Sequence, residues 1–77
     1  MDAFSKLQEI FRDIFDDETL ELTRKTMGDD IEDWDSLAQV NIIAACEAEF
    51  RIKFEIIEIV SIKNVGDIID LVERKMA

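Results

Sequence analysis

The chain has no histidine and no proline, and it carries one cysteine and two glycines among its 77 residues. Each shortage removes something. Without histidine there is no Ser-His or Cys-His catalytic pair, and with Cys46 as the lone thiol a structural zinc site has no ligand set. Cys46 cannot close an internal disulfide either. Rare glycine and absent proline leave nothing that marks a linker, so residues 1–77 read as one small domain. Bases are scarce: nine Lys and Arg stand against 19 Asp and Glu, for a formal charge of −10. A surface of that sign repels phosphate backbones and anionic lipid heads. Neither nucleic acid nor membrane is an expected partner, and a basic protein is. Long apolar runs are missing too. The longest, Ile42 to Cys46, falls far short of a membrane span. Met1 to Leu7 holds Asp2 and Lys6 where a signal peptide would hold an apolar core, so the expected compartment is the cytoplasm.

What the chain does have is 48% hydrophobic residues in a helical rhythm. Phe4, Leu7, Phe11 and Ile14 share one face of a first helix, widened by Ile10 and Phe15. Asp2 or Ser5 caps its start, and Ser5 with Gln8 has the spacing of a capping box. From Asp17 to Asp35 the rhythm stops. A connection of that length needs anchors, and Leu20, Leu22, Met27, Ile31 and Trp34 are the candidate pegs. A second helix begins near Asp35 and Ser36 with two apolar stripes. Ile42, Ile43, Cys46 and Phe50 form one, and Leu37, Val40, Ala44 and Ala48 the other, which is either covered by another element or left for a partner. Phe50 to Phe54 alternates apolar and charged residues, yet no other segment offers a strand to pair with, so an extended connector is expected. Ile56 to Ser61 reads as a short helix. Asn64 caps a last helix whose apolar face is Val65, Ile68, Ile69, Val72 and Met76, with Arg74 and Lys75 in its final turn. The expected fold is all-α: a small four-helix bundle, three helices longer and one short, with a long ordered loop between the first two.

Few residues offer chemistry. The acidic run Asp29 to Asp35 fails every calcium-loop register: counting from Asp29 puts Ile31 at a ligand position, and counting from Asp33 puts Ala38 where glycine is required. No metal is expected. Cys46 sits on an apolar stripe with no cation near it in sequence, as a small core hydrophobe does. Asp35-Ser36-Leu37 is the informative triplet, and it has two readings. Spacing alone favours Ser36 as the helix N-cap with Gln39 completing a capping box. That reading fits a non-catalytic helical interaction domain in which Ser36 has no further role. In the other, Asp35 is the cap and Ser36 the first helical residue, its hydroxyl outward, where a phosphate ester would meet free backbone N–H groups.

Trp34-Asp35-Ser36-Leu37, opening a helix that ends in Glu47-Ala48-Glu49-Phe50, resembles the acyl carrier protein family. The likeness extends to the first helix face, the long acidic loop, the connector after Phe50 and Val65-Gly66-Asp67 at the start of the last helix. It implies that Ser36 receives 4′-phosphopantetheine from coenzyme A and that the arm carries acyl or related groups as thioesters. It further implies that the chain is a carrier and not an enzyme, with a phosphopantetheinyl transferase supplying the base and the magnesium. The resemblance makes the second helix a recognition element, through Asp35, Leu37, Val40, Asn41, Ala44 and Glu47, for acyl-loading and acyl-transferring enzymes with basic docking patches.

Two departures from the pattern stand out. Ala38 and Asn41 occupy positions where fatty-acid carriers usually have acids, and the third helix is mostly apolar where theirs is acidic. They point to a specialised carrier, of the kind used in polyketide-like, aminoacyl or glycan-modifying pathways, rather than a housekeeping member of fatty acid biosynthesis. Ile57 and Val60 then join the expected partner face. Ile43, Cys46, Phe54, Ile59, Ile62 and Ile69 are the expected lining for a short apolar cargo. A monomer is expected, the apolar third helix leaving self-association open.

Overall fold

Helix α1, Ala3–Phe15, starts at Asp2, whose carboxylate accepts the Ser5 backbone N–H at 2.8 Å. Ser5 therefore lies inside the helix, and Gln8 turns elsewhere: its Oε1 accepts the Leu22 N–H at 2.9 Å and ties the following loop to α1. In the computed structural model, which describes residues 2–76, α1 is followed by a 3₁₀ turn at Gly28–Asp30. Helix α2 then spans Ser36–Phe50, α3 Ile56–Ser61 and α4 Val65–Met76. No strand forms among the described residues. No helix of the described residues is long and apolar enough to cross a membrane.

The core fills the space between α1, α2 and α4. Leu7, Phe11, Ile42, Cys46, Val65, Ile68 and Val72 are its fully buried members. The first stripe of α2 faces inward as expected, Ile42, Ile43, Cys46 and Phe50 all being buried. On α4 the buried face takes in Leu71, off the expected stripe, while Met76 in the last turn is 57% exposed. Burial pushes the Cys46 thiol up to about 12, so it stays protonated and inert in the folded chain.

The loop from Asp16 to Asp35 is held by side chains at both ends and by backbone in the middle. Leu22 and Ile31 are buried, and Leu20 and Trp34 pack against the core, Trp34 edge-on to Phe11 with centroids 5.1 Å apart. Met27 is not a peg: its side chain is 46% exposed, and its main chain forms an isolated antiparallel bridge with Asn64 instead. Beside it the Val65 N–H donates to the Thr26 carbonyl at 2.9 Å and the Gly66 N–H to the Arg24 carbonyl at 2.8 Å. This close approach explains Gly66, since a Cβ there would sit 2.8 Å from the Arg24 oxygen.

Helix α3 differs from the rest, having no buried residue. Ile59 and Ile62 pack on the core, whereas Ile56, Ile57 and Val60 are 80%, 71% and 73% exposed. Polar contacts hold its start: Glu58 accepts the Glu55 N–H at 2.8 Å and pairs with Lys75 of α4 at 2.7 Å. Both contacts hold the Glu58 carboxyl below its ordinary 4.5, the Glu55 N–H more strongly than the Lys75 ammonium.

Candidate functional site

Asp35 caps α2. Its backbone is extended and its Oδ1 accepts the Ala38 N–H at 2.9 Å. Ser36 is consequently the first helical residue, which overturns the capping-box reading of Ser36 and Gln39. Gln39 is engaged by the loop: its Oε1 accepts the Trp34 indole N–H at 2.7 Å. The physical reason is that Asp and Ser cap equally well, and the residue whose backbone is extended takes the role. Ser36 is exposed, and its hydroxyl has no hydrogen-bond partner among the described residues.

A cleft of about 550 Å³ opens beside Ser36, between the end of the acidic loop, the first turn of α2 and the far end of α3. Trp34, Gln39, Val40, Ile59, Val60, Ile62 and Lys63 contribute to its wall. Lys63 comes from the α3–α4 corner, far along the chain, and no local pattern in the sequence marks it. A smaller cleft of about 180 Å³ continues along the α2–α3 seam, lined by Val40, Ile43, Ala44, Glu47 and Ile59. The six residues expected to line one cargo pocket do not share it. Ile43 and Ile59 line the smaller cleft and Ile62 the larger, while Cys46, Phe54 and Ile69 are packed into the core.

The second stripe of α2 is on the surface. Leu37 is 69% and Val40 62% exposed, and Asp35, Asn41, Ala44 and Ala48 are exposed too. Glu47 differs from its neighbours on that face. It is half-buried, and its Oε2 accepts the Phe54 N–H at 2.9 Å, so this carboxylate holds the connector after α2 in place. Leu37, Val40, Ile56, Ile57 and Val60 are large aliphatic side chains left to solvent on the two helices that frame the clefts.

This arrangement has a relative of known structure. A holo acyl carrier protein from Geobacter metallireducens, solved by solution NMR, is 45% identical to this chain. The match covers 99% of this chain and 87% of that one, with a TM-score of 0.91. No family model and no curated protein matches the chain. At that identity and coverage the chain belongs to the acyl carrier protein family.

Proposed function

We propose that the chain is an acyl carrier whose Ser36 takes 4′-phosphopantetheine from coenzyme A and holds acyl or related intermediates for partner enzymes. The observation that carries this reading is Ser36 itself: first residue of α2, hydroxyl unpartnered, beside an open cleft, in a chain of this family. The surroundings suit the group, because the cleft offers both an apolar wall and the polar Gln39 and Lys63. When bound, the arm supplies a terminal thiol on which cargo rides as a thioester.

Ser36 contributes only the oxygen. Its Oγ bonds the phosphorus of the pantetheine half as the pyrophosphate link of coenzyme A breaks, adenosine 3′,5′-bisphosphate departs with the bridging oxygen, and the serine proton goes to a base on the transferase. Asp35 is the nearest carboxylate in sequence, and it is occupied in capping α2. Intact mass after incubation with coenzyme A and a phosphopantetheinyl transferase tests the assignment. One added phosphopantetheinyl group in the wild type, and none in Ser36→Ala, is the expected result. A wild type that stays unmodified, or a modified alanine variant, removes it.

The partner face in this reading combines the outward stripe of α2 with Ile57 and Val60 of α3. Asp35 and the acidic loop steer the carrier toward basic patches, and the small aliphatic contacts set register. The exposed apolar surface of α3 favours a specialised carrier with a narrow set of enzymes over a fatty-acid housekeeping member.

A further inference from the structure

The charge around Ser36 is lopsided. Asp29 to Asp35 holds five carboxylates and no base, and residues 13–35 hold ten of the 19 acids against two of the nine bases. A phosphodiester on Ser36 adds another negative charge to the end of this run. Among the described residues one cation lines the same cleft as Ser36, and it is Lys63. Three other bases are taken: Arg12 pairs with Glu9, Arg24 with Asp70 and Lys75 with Glu58. Lys63 forms no ion pair among the described residues. Its main chain is fixed nonetheless, because its N–H donates to Asp67 Oδ2 at 2.8 Å while Asp67 N–H donates to Asn64 Oδ1 at 2.8 Å. Lys63 thus stands on a hydrogen-bonded corner that lines the same cleft as Ser36. The other charged side chain in the wall, Asp35, is held by the Ala38 N–H.

We propose that Lys63 is a positioning residue for the arm, its ammonium pairing with the Ser36-linked phosphodiester across the cleft. This inference rests on the reading of Ser36 as the attachment site. The pairing draws the first part of the arm toward the corner where α3 meets α4. The arm then leaves beside Val60 and the exposed face of α3, and not over the acidic loop. A phosphodiester stays anionic around neutral pH, so the contact weakens as ionic strength rises.

The test uses the holo-protein, with modification of Ser36 first established by mass. Phosphorus-31 NMR then compares wild type with Lys63→Gln, Lys63→Arg and Lys53→Gln, the last a base in a separate cleft with Arg51 and Ile52. Lys63→Gln is expected to displace the phosphodiester resonance and to lower the heteronuclear NOE of the arm's amides. Lys63→Arg should restore both, and Lys53→Gln should change neither. High salt, which shortens the screening length to a few ångströms, should bring the wild type to the Lys63→Gln values. A resonance and an NOE that Lys63→Gln leaves unmoved at low salt overturn the pairing while leaving the attachment site standing. A chain that takes no phosphopantetheine overturns both.

Discussion

Helices α1, α2 and α4 bury residues along their length, and α3 buries none, although four of its six residues are isoleucine or valine. Apolar content therefore does not decide burial here. The long helices each have two neighbours to pack between, whereas α3 is a single short span that forms one wall of the clefts beside α2. It is held by Ile59, Ile62 and the Glu58–Lys75 pair. The comparison teaches where the molecule puts its stability and where it leaves surface. Three helices close a core, and the fourth presents aliphatic side chains beside Ser36.

The comparison breaks most visibly at the core. Phe11 is fully buried and packs against both Phe15, tilted, and Trp34, edge-on. Phe11→Ala should cost about 3–5 kcal/mol, a large share of the about 5–15 kcal/mol expected of a domain. Thermal unfolding by circular dichroism measures it, and a loss below about 1 kcal/mol would show that Phe11 does not anchor the loop.

A smaller effect separates the two residues at the start of α2. Asp35→Ala removes the cap and should cost about 0.5–2 kcal/mol. Ser36→Ala removes no hydrogen bond and should stay within about 0.5 kcal/mol of wild type, while abolishing modification. Urea titration of the two variants checks the pair, and the reverse order would return Ser36 to the role of cap.

That pair also marks the limit of what the sequence showed. The helices were legible because Leu7, Phe11, Ile42, Cys46, Ile68 and Val72 keep helical spacing. The position of Ser36 was legible through its motif, but its role in the cap was not, since adjacent Asp and Ser compete for one function. Met27 looks like a peg in the sequence and anchors through its main chain instead, because an apolar letter does not say which of the two does the anchoring. Gly66 against Arg24, and Lys63 in one cleft with Ser36, join segments far apart in the chain, and no periodicity reports such a meeting. Glu47 joins the partner face through the family resemblance and not through its spacing, and its carboxylate accepts the Phe54 N–H.

The link between α3 and α4 should titrate. The Glu58 carboxyl lies below its ordinary 4.5, first through the Glu55 N–H and then through Lys75. A carboxyl depressed by folding stabilises the fold above its unfolded pKa, and that contribution is lost as pH falls through the lower folded value. Glu58→Gln should therefore melt slightly below wild type at neutral pH, and the gap should close as the pH drops below about 4.5. Melting curves across that window decide it. A gap that persists in acid would mean the stabilisation comes from packing of the side chain and not from its charge.

The smallest effect on the fold is expected on α3 itself. Ile57 and Val60 are 71% and 73% exposed, so placing glutamate at both removes no core contact. Ile57→Glu with Val60→Glu should keep stability within about 0.5 kcal/mol of wild type. The consequence should fall on association instead. A fully buried aliphatic side chain contributes about 1.5–3 kcal/mol, so losing two from a docked face weakens partner binding by at least about tenfold. The wild-type contact, being apolar at α3, should also weaken less with salt than the contact made through Asp35 and the acidic loop. Binding of a loading or transferring enzyme, measured by calorimetry at low and high salt for both proteins, is the check. Sedimentation of the free chains shows whether α3 had been pairing two copies. Unfolding of the double variant would place these side chains in the core after all. A folded variant with unchanged affinity would leave the aliphatic surface of α3 outside the partner face.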